Sequence, residues 1–297
     1  MMIHEPFNLI KDNSSHLPHR FRAYRYDQVN SDCWMAVVDG FLEARKLTAD
    51  AFYRNITDTG FQKIGLDKHL NAFGKGQLPP TPLENSNVTK DPAITDMTEV
   101  LALEVLKWSE AGLELPYPRV LHKESFPLQH HGIDSLGYIK GNGEYTLYVI
   151  EVMATVDGKH PPKTVKDHLK QILPDTLNAT YFNRILNDLR TVHDESKNDK
   201  DRDVLNGFII ATLNGSLSQN QAVIASPVLI RRFNEFNEND WNPFIESKSE
   251  FEQAMIPSTV LFIAVECHDT FSGLLDLIKQ TALGSSATTP ASEGGEE

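Results

Sequence analysis

The stretch from Gly132 to Met153 constrains the fold more than any other part of the chain. Gly141, Asn142 and Gly143 form a strong hairpin signal. The run that follows, Tyr145-Thr146-Leu147-Tyr148-Val149-Ile150-Glu151-Val152-Met153, is almost continuously apolar or β-favouring, as in a strand covered on both faces. Gly132-Ile133-Asp134-Ser135-Leu136-Gly137-Tyr138-Ile139 reads as its partner strand. Hairpin pairing would bring Asp134 and Glu151 to one edge of a sheet. Two carboxylates there can hold a hard divalent cation through oxygen. Such an ion can orient an attacking water and offset charge on a scissile phosphate. The alternative is that Glu151 lies on a solvent face or pairs with a core arginine, since a buried carboxylate without a partner is costly.

Around this hairpin the pattern alternates strands and helices, which argues for an α/β or α+β sheet core. Trp34-Met35-Ala36-Val37-Val38 reads as a short buried strand, and residues 42–56 as a helix carrying Leu42, Leu47, Ala51 and Phe52. Residues 74–92 are rich in Gly, Pro, Asn and Thr, the composition of a linker. They divide a smaller N-terminal α+β lobe, 1–90, from a main domain, 91–284. That domain opens with a helix from about Thr95 to Ala111, capped by Thr95 or Asp96. Further helices are expected at 163–173 and 174–193, a loop at 196–203, and buried strands at 205–213 and 258–265. Residues 285–297 are Ser, Thr, Gly and Glu with almost no apolar side chains, and read as a disordered acidic tail. No internal repeat is apparent.

The two cysteines, Cys33 and Cys267, are far apart and lack metal-ligand spacing, so a disulfide framework is not expected and a reducing cytosol fits. The first residues lack a basic start followed by an apolar stretch, and no run approaches the ~20 apolar residues needed to span a bilayer. The expectation is a cytoplasmic protein with no membrane partner. The net charge of −13 opposes binding to free DNA, whose affinity comes mostly from Lys and Arg on phosphates. Three basic groups stand against that balance: Arg20, Arg22 and Arg25 with His19; Lys159, Lys163, Lys166 and Lys170 with His160 and His168; and Arg231-Arg232. Each can equally be a solvated face.

In this setting the chain resembles the PD-(D/E)xK nuclease superfamily, whose core carries an Asp and a Glu-x-Lys on a hairpin-rich strand set between helices. The resemblance extends over most of the chain, excluding the last dozen or so residues, to the HamA family, the nuclease subunits of Hachiman anti-phage defence systems, and to AbpA-type phage-resistance proteins. It is carried by Val38-Asp39-Gly40-Phe41, Thr98-Glu99-Val100-Leu101-Ala102, His131-Gly132-Ile133-Asp134 and Ile150-Glu151-Val152. The resemblance implies a restriction-endonuclease-like core with Mg²⁺ or Mn²⁺ held by Asp134, Glu151 and Val152. It also implies an acid from the first core helix, for which Glu99 is the candidate; the alternative for Glu99 is an ordinary surface glutamate. A superfamily 2 helicase subunit of the HamB kind would be the partner, and would deliver the DNA; this chain has no Walker A motif of its own.

One departure matters. The family's Lys stands two residues after the Glu, and this chain has Met153 there. A thioether donates no hydrogen bond and carries no charge. Either the cation comes from elsewhere, Lys159, Lys163, Lys166 or Lys170, or the site binds metal and cuts slowly, or the chain is a silent nuclease fold that binds and regulates a helicase. Other chemistry is weaker. His130 and His131 are adjacent, so on a strand they would point to opposite faces; His131 reads as a local hydrogen-bonding residue. No Gly-x-Ser-x-Gly elbow is present, and no aromatic platform suggests a two-carboxylate glycosidase.

Overall fold

The computed structural model of the chain describes residues 5–26, 32–44, 92–122, 133–141, 144–173, 179–214, 222–253 and 259–286. Its strands are β1 (Phe7–Asn13), β2 (Arg20–Tyr26), β3 (Ser135–Gly141), β4 (Glu144–Ala154), β5 (Val223–Arg231) and β6 (Thr259–Glu266). Among the described residues the helices are α1 (Asp32–Ala44), α2 (Pro92–Ser109), α3 (Lys163–Ile172), α4 (Ala179–Glu195), α5 (Asp199–Leu213), α6 (Asn242–Glu246), α7 (Lys248–Gln253) and α8 (Phe271–Ser286). The fold is α/β around one mixed six-stranded sheet of order β1-β2-β6-β5-β4-β3. The four inner strands are mutually parallel, and β1 and β3 close the two edges as antiparallel partners of β2 and β4.

Strand alternation sorts the core into two layers. Tyr148 and Ile150 of β4, Val228 and Ile230 of β5, and Ile263 and Val265 of β6 face a layer formed with α1, α2 and α8. Leu147, Val149 and Met153, with Leu229, Phe262 and Ala264, face the other, formed with α3, α4, α5, α6 and α7. Every residue of β5 is buried, as expected of a central parallel strand covered on both sides. Gly40 lets α1 approach α2, since a β-carbon there would fall 2.7 Å from Val100 Cγ1.

Several expected elements stand. The hairpin is β3–β4, the strand expected at 258–265 is β6, and the helix expected at 163–173 is α3. The helix expected at 95–111 begins three residues earlier, at Pro92, and the one expected from 174 is described from Ala179.

Two segments differ in kind. Residues 34–38 lie in α1, where Trp34, Val37, Val38, Phe41 and Ala44 are buried at spacings of three and four, the helical period. Residues 205–213 lie in α5, whose Val204, Leu205, Phe208 and Thr212 face the core while Ile210 and Leu213 are exposed. The loop expected at 196–203 ends at Asn198, whose side chain accepts the Lys200 N–H and starts α5.

Residues 5–26 and 32–44 supply β1, β2 and α1 to the same sheet and core as the rest of the fold. The expected boundary near 90, the linker, most of the 42–56 helix, His130, His131 and most of the acidic tail fall outside the described residues. No helix among the described residues is long and apolar enough to cross a membrane.

Candidate active site

The β3–β4 ladder pairs Ser135 with Ile150 and Leu136 with Val149. Continued by one step, this register sets Asp134 opposite Glu151. Directly opposed residues of an antiparallel pair share a face, with β-carbons about 4.5–5.5 Å apart. Leu136 and Val149 both belong to the α3–α7 layer, so Asp134 and Glu151 share that face by alternation. Asp134 Oδ2 accepts the backbone N–H of Val152 at 2.6 Å. The acid thus fastens the chain to β4 where regular pairing with β3 ends.

Glu151 is buried. Burial pushes its carboxyl well above the usual carboxylate range, and the neighbouring Asp134 pushes it further. The opposing influence comes first from Arg184 of α4, whose Nη2 lies 2.8 Å from Glu151 Oε1. Of the two alternatives for Glu151 outside a metal site, the structure contains the arginine pair. That contact is an ion pair without hydrogen-bond geometry, because Oε1 accepts no directed donor.

One turn further along α4, Asp188 Oδ2 accepts the backbone N–H of Ile133 at 2.9 Å, and its Oδ1 pairs with Arg119. His168 of α3 is buried on this side of the sheet. Desolvation, then the Arg184 charge, lower its pKa to about 4, so it is neutral at pH 7.

The other expected site residues lie as follows. Met153 is 5% exposed and packs in the apolar α3–α7 layer. Glu99 is half-buried on α2, across the sheet from Glu151. It lines a cavity of about 300 Å³ at the end of β4, together with Thr95, Thr98, Val152, Thr155 and Thr164. Val152 can offer a ligand only through its backbone carbonyl. Lys163, Lys166 and Lys170 are exposed on α3, whose inward residues are Val165, His168, Leu169 and Ile172. The cation that contacts Glu151 is Arg184, which the sequence reading did not single out. The signal for it was faint: Arg184 and Asp188, four apart, border the apolar stripe Ile185, Leu189 and Val192.

Among the described residues no group of three or more His, Cys, Asp or Glu side chains is arranged to hold a metal ion. The donors that suit one are the hard oxygens of Asp134 and Glu151, including the buried Oε1 that accepts no hydrogen bond. A second charged cluster closes the neighbouring strand ends. Arg231, fully buried at the end of β5, donates to the Asp157 and Glu235 carbonyls and sits 3.4 Å from Asp240, which in turn holds His160 at 2.8 Å. It anchors the loop that carries Thr155 into the cavity wall. Comparison with protein-family models and with curated proteins finds no match for this chain.

Proposed function

We propose that this chain is a metal-dependent DNA nuclease with a PD-(D/E)xK core, acting as a subunit of a prokaryotic anti-phage defence complex together with a helicase. The observation that carries the reading is the cross-strand placement of Asp134 and Glu151 on one face, with Asp134 bonded to Val152 N. A Mg²⁺ or Mn²⁺ ion bound there would lower the pKa of an attacking water and neutralise charge on the phosphate. Asp134, Glu151 and the Val152 carbonyl are the residues that would hold it. The buried Glu151 oxygen without a directed donor fits that role. Asp134 orients the β4 edge, and Arg184 supplies the local positive charge that Met153 cannot. Glu99, from the far side of the sheet, lines the cavity beside Val152 and would act on what enters it.

A second reading is favoured by a specific observation. Met153 is packed in the core, and Arg184 pairs with Glu151, as in a nuclease fold kept for binding and regulating a helicase. Plasmid cleavage separates the two. The complex should cut in Mg²⁺, stop with EDTA, and lose cutting in Asp134→Ala and Glu151→Ala. Cutting that is absent in Mg²⁺ and Mn²⁺ alike would favour the silent subunit.

A further inference from the structure

We propose that Arg184 closes the Asp134–Glu151 pair while no nucleic acid is bound, and transfers to a substrate phosphate when one arrives, so that metal loading is coupled to DNA. This rests on the nuclease reading and specifies how that site is regulated.

Burial and Asp134 disfavour the ionised form of Glu151, so that form needs a cation beside it, and the Arg184 guanidinium stands 2.8 Å away. A divalent cation between Asp134 and Glu151 would use the same negative charge and would repel the guanidinium at close range. The two cations therefore compete.

The contact is suited to exchange. It lacks hydrogen-bond geometry on Oε1, so opening it breaks no directed bond to that oxygen. The Arg184 side chain is 28% exposed against 9% for that of Glu151, so the arginine is the more accessible member of the pair. The planar fork of an arginine matches a phosphate as well as a carboxylate. His168, held neutral beside Arg184, adds no rival positive charge. Its buried Nε2 has no hydrogen-bond partner and faces this same layer. The lysines of α3 lie outward and do not occupy the acid pair.

By linkage, if DNA draws Arg184 away it strengthens metal binding, and metal strengthens DNA binding by the same factor. The purified full-length chain should therefore bind Mn²⁺ weakly by itself, as read by the electron paramagnetic resonance signal of free Mn²⁺. A phosphorothioate duplex at low ionic strength should raise that affinity at least ~10-fold, within the usual range of allosteric coupling.

Arg184→Met should bind Mn²⁺ at least ~10-fold tighter than wild type without DNA and lose most of the DNA dependence. Arg184→Lys, which keeps the charge on a compact head, should lie between them and guards against misfolding of the first variant. Equal Mn²⁺ affinity with and without duplex, unchanged in both variants, overturns the exchange, while the nuclease reading survives if the wild-type complex still cuts. No Mn²⁺ binding under any condition, with intact plasmid, overturns both.

Discussion

Asp134 Oδ2 accepts the amide N–H of Val152, one residue past the Glu151 that the β3–β4 register, continued one step, sets across from Asp134. One carboxylate therefore does two jobs. It terminates the β3–β4 pairing, and it adds negative charge beside a buried acid. Substitutions separate them. Asp134→Asn keeps an acceptor and removes the charge that opposes Glu151 ionisation, so without metal it should be at least as stable as wild type at pH 7. Asp134→Ala leaves the Val152 N–H without its partner and should cost about 1–3 kcal/mol by urea unfolding. Both should abolish Mg²⁺-dependent cutting.

Asp188 positions the acid pair from behind. Its two oxygens link Arg119 to the Ile133 amide, immediately before Asp134. The pair is almost buried, with side-chain exposures of 12% for Arg119 and 9% for Asp188. Asp188→Ala leaves Arg119 unpaired and should cost about 3–5 kcal/mol in urea unfolding. Arg119→Met with Asp188→Leu should recover much of that loss, since an apolar replacement of a buried ion pair can be neutral. The double variant still lacks the Ile133 amide contact and should cut more slowly than its stability implies.

The hairpin was legible because a Gly-Asn-Gly turn and a nine-residue apolar run are both local signals. Residues 34–38 misled because five apolar residues carry no period; the helix declares itself only when Phe41 and Ala44 extend the series. Residues 205–213 misled through β-branched Ile209 and Ile210, yet Ile210 and Leu213 are exposed, and the true spacing runs through Val204, Leu205 and Phe208. β1, β2 and β5 were not anticipated. β5 carries Pro227 in mid-strand, which argues against a central strand, and β1 exposes five of its seven residues. Asp134 and Glu151 stood out as acids in apolar strands. Arg184 did not, because its meaning comes from a tertiary contact between α4 and β4 that no local spacing encodes.

Met153→Lys should increase Mg²⁺-dependent plasmid cutting. A residue two along from Glu151 shares its face, and Met153 also borders the hydroxyl-lined cavity at the end of β4. The lysine stem can follow the methionine path with the amine turned into that cavity. Partial desolvation of the ammonium at this buried position should cost about 1–3 kcal/mol, measurable by urea unfolding. Cutting no faster than wild type in a folded Met153→Lys, together with lost cutting in Arg184→Ala, would assign the cationic role to α4.

His19 should make stability fall as the solution is acidified. It is fully buried, and its Nδ1 accepts the Val260 N–H at 3.2 Å. Burial lowers its pKa below the ordinary 6.5; Lys248 and His16 oppose protonation further, and Glu252, 3.4 Å from Nε2, favours it without reversing the shift. The unfolded chain therefore takes up this proton first, and the stability contributed by neutral His19 is lost as pH falls from 6.5 toward its folded value. Urea midpoints of wild type and His19→Asn should converge between pH 7.5 and 5.5. A constant difference across that range would remove His19 from the acid response.

A chain of net charge −13 should depend on its partner to reach DNA. The arginines of β2, an available basic group by sequence, are already engaged. Arg20 makes two 2.9 Å bonds to Glu110, Arg22 contacts Glu110 and Asp12, and Arg25 pairs with Glu266. Arg231 is buried. Arg232 pairs with Glu235. Of the three groups, among the described residues, that leaves exposed Lys159 and the lysines of α3, too few to offset the net negative charge at physiological salt, where each phosphate contact is weakened by counterion competition. The isolated chain should therefore bind a duplex with a Kd weaker than micromolar in ~150 mM salt, in the non-specific range. Under the proposed pairing it should co-purify with a superfamily 2 helicase and cut only in that complex. A monomer that ignores this helicase and binds duplex DNA at nanomolar Kd in the same salt would overturn the partner-dependent picture.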